Sequence, residues 1–304
     1  MTADIQVFAE LEALLSPESV LRRDEPLTRR TTLRVGGPAD FYVEPASEAD
    51  LSSLIRFCAA QRLPWFLLGR GSNLLVRDGG IRGVVLCLAA PCFSRVEPLG
   101  DRLRCGAGAR LKAVALEARR AGLANLEFLE GIPGSVGGAL RMNAGAMGSS
   151  IFACVDRVRF MDSTGGVHER AASEIRVAYR ECCLLKDHIA LEAVLRGVPA
   201  PREAIEQRAQ AFNQKRWSSQ PAAPSAGCIF KNPGPIPAGR LIDELGLKGA
   251  RVGGAVVSDV HANFIVNEGT ATAQDVLRLI DLVKQHAKAS RGIELETEVQ
   301  IVGE

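Results

Sequence analysis

The stretch Leu126–Gly148, LEFLEGIPGSVGGALRMNAGAMG, constrains the chain more than any other. Six of its 23 residues are glycine, against 30 in all 304. Gly131, Gly134, Gly137, Gly138, Gly145 and Gly148 are free to take φ > 0 and to bring bare backbone N–H groups close to a ligand. Pro133 fixes φ and removes a donor, which stiffens the turn. Ser135 opens a run of small and apolar residues, which predicts that a helix begins there. Unpaired N–H groups and the helix dipole suit such a place to phosphate or another anion. A plain core turn needs one glycine; six, with Asn143 embedded, predict a ligand loop. It is not a P-loop, lacking GxxxxGK[ST], nor a dinucleotide fingerprint, since no GxGxxG follows a strand.

A chain of 304 residues is long enough for about two or three domains at ~100–200 residues each. Net charge is only +2, so no general pull toward nucleic acid arises. No apolar run approaches the ~20 residues that span a bilayer, and the acidic N-terminus lacks a basic leader region. The expectation is a cytoplasmic protein without membrane, nucleic-acid or obligate protein partners. The eight cysteines form no CxxC pair and the four histidines are scattered, so no metal site is expected. Most cysteines lie in apolar runs as reduced core residues. Cys228 stands apart, among Gly, Lys, Asn and Pro.

Taken in order, apolar spacing predicts a helix over Ala3–Leu15, then two short strands about Gly36-Gly37-Pro38. Ser47 and Asp50 announce a helix bearing Leu51, Leu54, Ile55 and Cys58 on one face. Strand Trp65–Leu68, the loop Gly69-Arg70-Gly71-Ser72-Asn73 and strand Leu74–Val76 form a second candidate phosphate cradle. Strands follow at Val84–Leu86 and Leu103–Cys105, then a helix over Leu111–Ala121 closed by Gly122. Val155–Met161 and Val167–Arg170 read as a hairpin, and Ile189–Leu195 as a strand. The prolines of Val198–Pro201 mark a boundary. Beyond it come helix Arg202–Arg216, the loop Ser218–Ala226, a short helix Leu241–Leu245, and strands Val252–Val257 and Ala262–Asn267. Thr272 and Asp275 cap a long helix. The last strand alternates, with Leu295, Thr297, Val299 and Ile301 on one face.

Read singly, Arg180 is a surface cation, Glu298 a solvated carboxylate, Cys228 a buried spectator, and His261 and His286 structural or surface residues. The ordered motifs change that reading. TTLRVGGPADFYVEP, LLGRGSNLLVRDGGIRGVVL, FLEGIPGSVGGALRMNAGAMG, YRECC, SAGCIFKNPG, RLIDELGLKG, HANFIVN and ELETEVQIVG, from Thr31 to the C-terminus, together resemble the UDP-N-acetylenolpyruvoylglucosamine reductases (MurB). The resemblance implies an α+β protein: an FAD-binding fold of the vanillyl-alcohol oxidase type, with α/β subdomains at 1–92 and 93–200, and a C-terminal α/β substrate domain at 201–304. It also implies non-covalent FAD, NADPH as co-substrate, and UDP-N-acetylglucosamine enolpyruvate as the acceptor.

Carried over residue by residue, the resemblance places Gly69, Arg70, Gly71, Ser72, Asn73 and Leu74 on FAD. Gly131, Ile132, Pro133, Gly134, Ser135, Gly137 and Gly138 form its second cradle, joined by Asn143, Gly145 and Arg216. Arg180, Cys228 and Glu298 fall on the catalytic positions, and Tyr179, Lys231 and Asn232 on substrate positions. Many relatives carry serine where this chain has Cys228, which makes the proton donor a thiol. The chain also lacks the tyrosine-bearing loop of the longer subtype. Two rival readings stand beside this one: a flavin oxidase of the same fold, and a non-catalytic flavin or UDP-sugar binding protein.

Overall fold

In the computed structural model, which describes residues 2–234 and 236–304, the chain divides into two units. The first comprises Met1–Arg23, Phe41–Gly69 and Gly83–Lys215; the second comprises Asp24–Asp40, Arg70–Arg82 and Arg216–Glu304.

The first unit is built on a five-stranded antiparallel sheet in the order Val167–Ala171, Val155–Met161, Ile189–Arg196, Arg102–Gly106, Val96–Leu99. The central strand buries six of its eight residues because neighbouring elements cover both of its faces. One cover is the short helix Val136–Arg141; the longer helix Leu111–Arg120 buries Leu111, Val114, Ala115 and Ala118 at helical spacing. Gly122, at φ 67°, ends it. A third helix, Glu48–Ala60, is capped by Ser47, whose Oγ accepts from the Asp50 N–H at 3.1 Å. It buries the expected Leu51, Leu54, Ile55 and Cys58. Each such fully buried side chain contributes about 1.5–3 kcal/mol. Trp65–Leu67 pairs in parallel with Ile81–Leu86, within a sheet that continues to Pro38–Glu44 and Val20–Pro26.

The second unit carries an antiparallel sheet in the order Ser225–Cys228, Phe264–Asn267, Ala255–Val257, Arg251–Val252. Over it lies helix Ala273–Arg291, burying Val276, Leu279, Ile280, Val283 and Ala287. Its start is over-determined. Thr272 and Asp275 form the reciprocal capping box, and the Asp78 carboxylate accepts from the N–H groups of Ala273 and Gln274 at 2.8 and 2.9 Å. Leu74–Val76 pairs in parallel with Gln300–Val302.

Three local expectations change. Of the two strands about Gly36-Gly37-Pro38 only Pro38–Glu44 forms; the partner strand is Val20–Pro26, whose charged sequence hid it. The segment Val252–Val257 is a hairpin, turned at Gly253 with φ 53°. The last strand keeps its alternation, with Leu295 and Val299 buried, but only Gln300–Val302 joins a ladder. The residues before it make a single bridge, Phe230 to Thr297. Val198–Pro199, at the expected boundary, pairs with Leu123–Ala124. Helix Arg202–Ser219 buries Ile205 and Ala209 immediately afterwards.

Candidate active site

The glycine-rich stretch does open onto a helix. Val136–Arg141 is capped by Ser135, whose Oγ accepts from the Gly138 N–H at 3.4 Å. Its glycines act differently from the expectation, because only Gly148 of the six has positive φ, at 82°. The left-handed turns fall instead on Asn143 and Met147, at φ 39° and 53°. Close approach is what the others serve. Gly137 donates its N–H to Ala107 O at 2.7 Å, and a Cβ there would lie 3.1 Å from the Ala107 Cβ. At Gly145 a Cβ would meet Ser149 O at 2.6 Å, and Gly134 O accepts from the Leu111 N–H. Ile132 closes the preceding turn through its N–H to Leu129 O, and Pro133 is exposed.

Gly131 differs from these. It is buried, yet a Cβ would find no atom within 4 Å. Gly138 is nearly as open, with Ser135 Oγ at 3.6 Å. A Cβ on Gly69 would stand 3.1 Å from that same Ser135 Oγ, so within the first unit the two glycine segments meet at one serine. Space kept clear beside buried Gly131 fits a ligand. Gly131→Val is therefore expected to fold with unchanged melting temperature but to bind flavin at least tenfold more weakly, each tenfold being about 1.4 kcal/mol. Flavin absorbance per polypeptide after purification, read beside the melting curve, checks it. Gly137→Val is the contrasting case: overpacking against Ala107 costs about 1–3 kcal/mol of stability, so flavin content and melting temperature fall together.

The loop after Gly69 belongs to the second unit. Gly71 sits at φ 60°, where a Cβ would lie 2.7 Å from Arg30 O. Beside it, Thr31 Oγ1 is buried with no hydrogen-bond partner, a donor left for something outside the chain. Arg70 is exposed and Ser72 half-buried. Asn73 donates its side-chain amide to Glu298 O at 3.1 Å, while its carbonyl accepts from the Gln300 N–H at 3.0 Å. Leu74 then enters the parallel pairing opposite Gln300. The loop implied for the cofactor thus holds the backbone of the implied catalytic carboxylate.

Cys228 ends the strand Ser225–Cys228, paired with Phe264 after an irregularity in register. The next residues turn to a different neighbour. Ile229 O accepts from the Glu298 N–H at 2.8 Å, and Lys231 N–H donates to Glu296 O at 2.9 Å. Cys228 and Glu298, seventy positions apart, therefore lie on adjoining segments of one unit. Cys228 lines a cavity of about 400 Å³ with Asn232, Arg240, Lys248, His261 and Asn263. Asn232 Oδ1 accepts from the Ala238 N–H at 3.0 Å, and the Lys231 ammonium reaches Glu296 at 3.0 Å. Arg240 and Lys248 escaped the sequence reading, and His261 was read there as a structural or surface residue. Their only signal was two cations on a short helix and the turn after it, which nothing in spacing sets opposite Cys228. Burial holds the His261 imidazole below its ordinary pKa, and its Nδ1 accepts from the Asn263 N–H at 3.1 Å.

Arg180 lies in the first unit, at the second turn position of the hairpin Val177–Ala178/Glu181–Cys182. Its φ of 59° is rare for a residue with a side chain and costs about 1–3 kcal/mol, the kind of strain that collects at functional sites. Its guanidinium lies over the Tyr179 ring, 4.9 Å from the centroid, and Tyr179 is 60% exposed. Asn143 holds this turn, its amide donating to Ala178 O at 3.0 Å while Oδ1 accepts from the Phe152 N–H. Arg216 is half-buried near the end of helix Arg202–Ser219. Among the described residues, no three His, Cys, Asp or Glu side chains gather as a metal site.

Residues 39–170 match an FAD binding domain, and residues 220–302 match the C-terminal domain of UDP-N-acetylenolpyruvoylglucosamine reductase. The reductase of Pelobacter propionicus is 46% identical over 95% of this chain and 98% of its own length. That of Heliobacterium modesticaldum is 46% identical over 93% and 90%. Among solved structures, the reductase of Thermus caldophilus superposes with a TM-score of 0.81 at 38% identity, covering 94% of this chain and 98% of that one. With an FAD-binding domain followed by that C-terminal domain, and full-length relatives at this identity, the chain belongs to the UDP-N-acetylenolpyruvoylglucosamine reductase family.

Proposed function

We infer that the chain reduces UDP-N-acetylglucosamine enolpyruvate to UDP-N-acetylmuramate for peptidoglycan synthesis, with NADPH as reductant and FAD as carrier. The observation that carries this reading is the pairing that sets Glu298 beside the Cys228 segment, Glu298 N–H to Ile229 O at 2.8 Å, in the unit whose cavity holds Cys228. The residues present in the first unit fit FAD: clear space at buried Gly131 and the bare surface of Gly138 near Ser135. Residues 1–92 and 93–200 make up the flavin side by function, and 201–304 the substrate side.

Bound FAD would supply the redox chemistry, hydride transfer between NADPH and the substrate. The chain supplies the rest. Hydride addition to the terminal carbon of the enolpyruvyl group leaves negative charge on the neighbouring carbon and its carboxylate. Arg180 offers a fixed positive charge to that carboxylate side, and Glu298 a second preorganised group. Cys228 Sγ–H donates the proton that completes the new C–H bond, so hydride and proton together saturate the double bond. Arg240 and Lys248, in the cavity that Cys228 lines, are cations suited to a nucleotide diphosphate.

The reaction takes place in the cytoplasm on soluble substrates, without nucleic acid or membrane as partner; among the described residues no helix is long and apolar enough to cross a membrane. One assay separates this function from its rivals. The purified yellow protein should oxidise NADPH only when the enolpyruvyl substrate is added. Oxygen consumption without that substrate identifies an oxidase, and binding without turnover a sensor.

A further inference from the structure

We infer that Asn263 is a positioning residue that sets Cys228 and Glu298 together, through the backbone of Phe230. Asn263 is 3% exposed, and its side chain closes a two-point clamp on one residue. Oδ1 accepts from the Phe230 N–H at 2.9 Å, and Nδ2 donates to Phe230 O at 2.8 Å. Its own carbonyl accepts from the Ile229 N–H at 2.8 Å. These bonds act where the chain changes partners. The ladder with Phe264–Asn267 ends at Cys228, and two residues later Phe230 bridges to Thr297. Strand pairing therefore does not satisfy the backbone polar groups of Phe230 on the Asn263 side; a side-chain amide does, in the geometry of a missing strand.

The consequence reaches both catalytic candidates. Glu298 takes its place from Ile229 O, the carbonyl next to Cys228 and one residue before the clamp. If the Phe230 peptide rotates, the thiol and the carboxylate shift relative to one another. Displacements of ~1 Å from outside the reacting groups can cost on the order of 10²-fold in rate. Asn267 is the internal control. It ends the strand that Asn263 precedes, is 5% exposed, and also spends both ends of its amide on backbone, at Leu33 O and at the Gly269 and Ala271 N–H groups. None of these touches the Cys228 segment.

The inference rests on the proposed roles of Cys228 and Glu298, and one of its readouts is independent of turnover. Asn263→Ala and the isosteric Asn263→Asp, which keeps the acceptor and loses the donor, are to be compared with Asn267→Ala in the FAD-loaded protein. Two quantities are measured: the rates of the two flavin half-reactions, and the rate at which iodoacetamide alkylates Cys228, followed by mass spectrometry of its peptide. Both Asn263 variants should slow flavin reoxidation by substrate about 10–100-fold. They should leave reduction by NADPH within about threefold and change the Cys228 alkylation rate. Asn267→Ala should lower the melting temperature without any selective effect. Should Asn263→Ala fail to fold, Asn263→Asp carries the comparison. Equal loss in both half-reactions, unchanged alkylation, or the same selective loss in Asn267→Ala overturns the inference. A Cys228→Ala variant that reoxidises normally overturns instead the role of the thiol, so the two failures are told apart.

Discussion

Cys228→Ala is expected to let NADPH reduce the flavin at the normal rate and to slow reoxidation by the enolpyruvyl substrate about 10²–10⁴-fold, the usual contribution of one general acid. The half-reactions separate because hydride delivery to FAD needs no proton at the substrate carbon, whereas saturating the double bond does. Cys228→Ser should retain substantial activity, since a hydroxyl occupies nearly the same position. The Lys231 ammonium, next but two in sequence, pairs with Glu296 at 3.0 Å. Rapid mixing of pre-reduced protein with substrate checks the claim. A wild-type reoxidation rate in the alanine variant would assign the proton to another donor.

Glu298→Gln should produce the second-largest loss, about 10²–10³-fold in reoxidation, comparable to removing one preorganised group at a developing charge. Flavin content and reduction by NADPH should stay close to wild type, because two backbone bonds, the Glu298 N–H to Ile229 O and its carbonyl to the Asn73 amide, do not depend on the side-chain charge. The glutamine variant keeps both. Glu296 makes the fitting control. Its side chain is 75% exposed and bridges only to Lys231, so Glu296→Ala should change stability by at most about 1 kcal/mol and leave both half-reactions intact. Parallel loss in the two half-reactions of Glu298→Gln would mean general damage rather than a catalytic role.

Local rules determined a good part of this protein. The helix over Glu48–Ala60, the capping box of Ala273–Arg291 and the strand Val155–Met161 were all legible, because caps and apolar periodicity act within one or two turns of chain. The helix behind Ser135 was legible for the same reason. What Gly137 does was not. Its need for a bare Cα comes from Ala107, thirty positions earlier, and no local signal separates a glycine that turns the chain from one that lets another segment approach.

Only the tertiary structure decided how the site is held. Asn73 and Asn143 carried the resemblance to cofactor-binding residues, yet each spends its amide on backbone of a segment proposed to be catalytic, Glu298 in one case and the Arg180 turn in the other. Arg240, Lys248 and His261 reach the cavity of Cys228 through a short helix, a turn and a strand end that are adjacent only once the second unit has folded. The charged strand Val20–Pro26 and the single bridge at Thr297 likewise depend on partners far away in sequence. Sequence pattern determines where chain segments curl or extend, since those choices are paid residue by residue. Which segments then share hydrogen bonds depends on burial across the whole unit, and the geometry of Cys228 and Glu298 is set at that level.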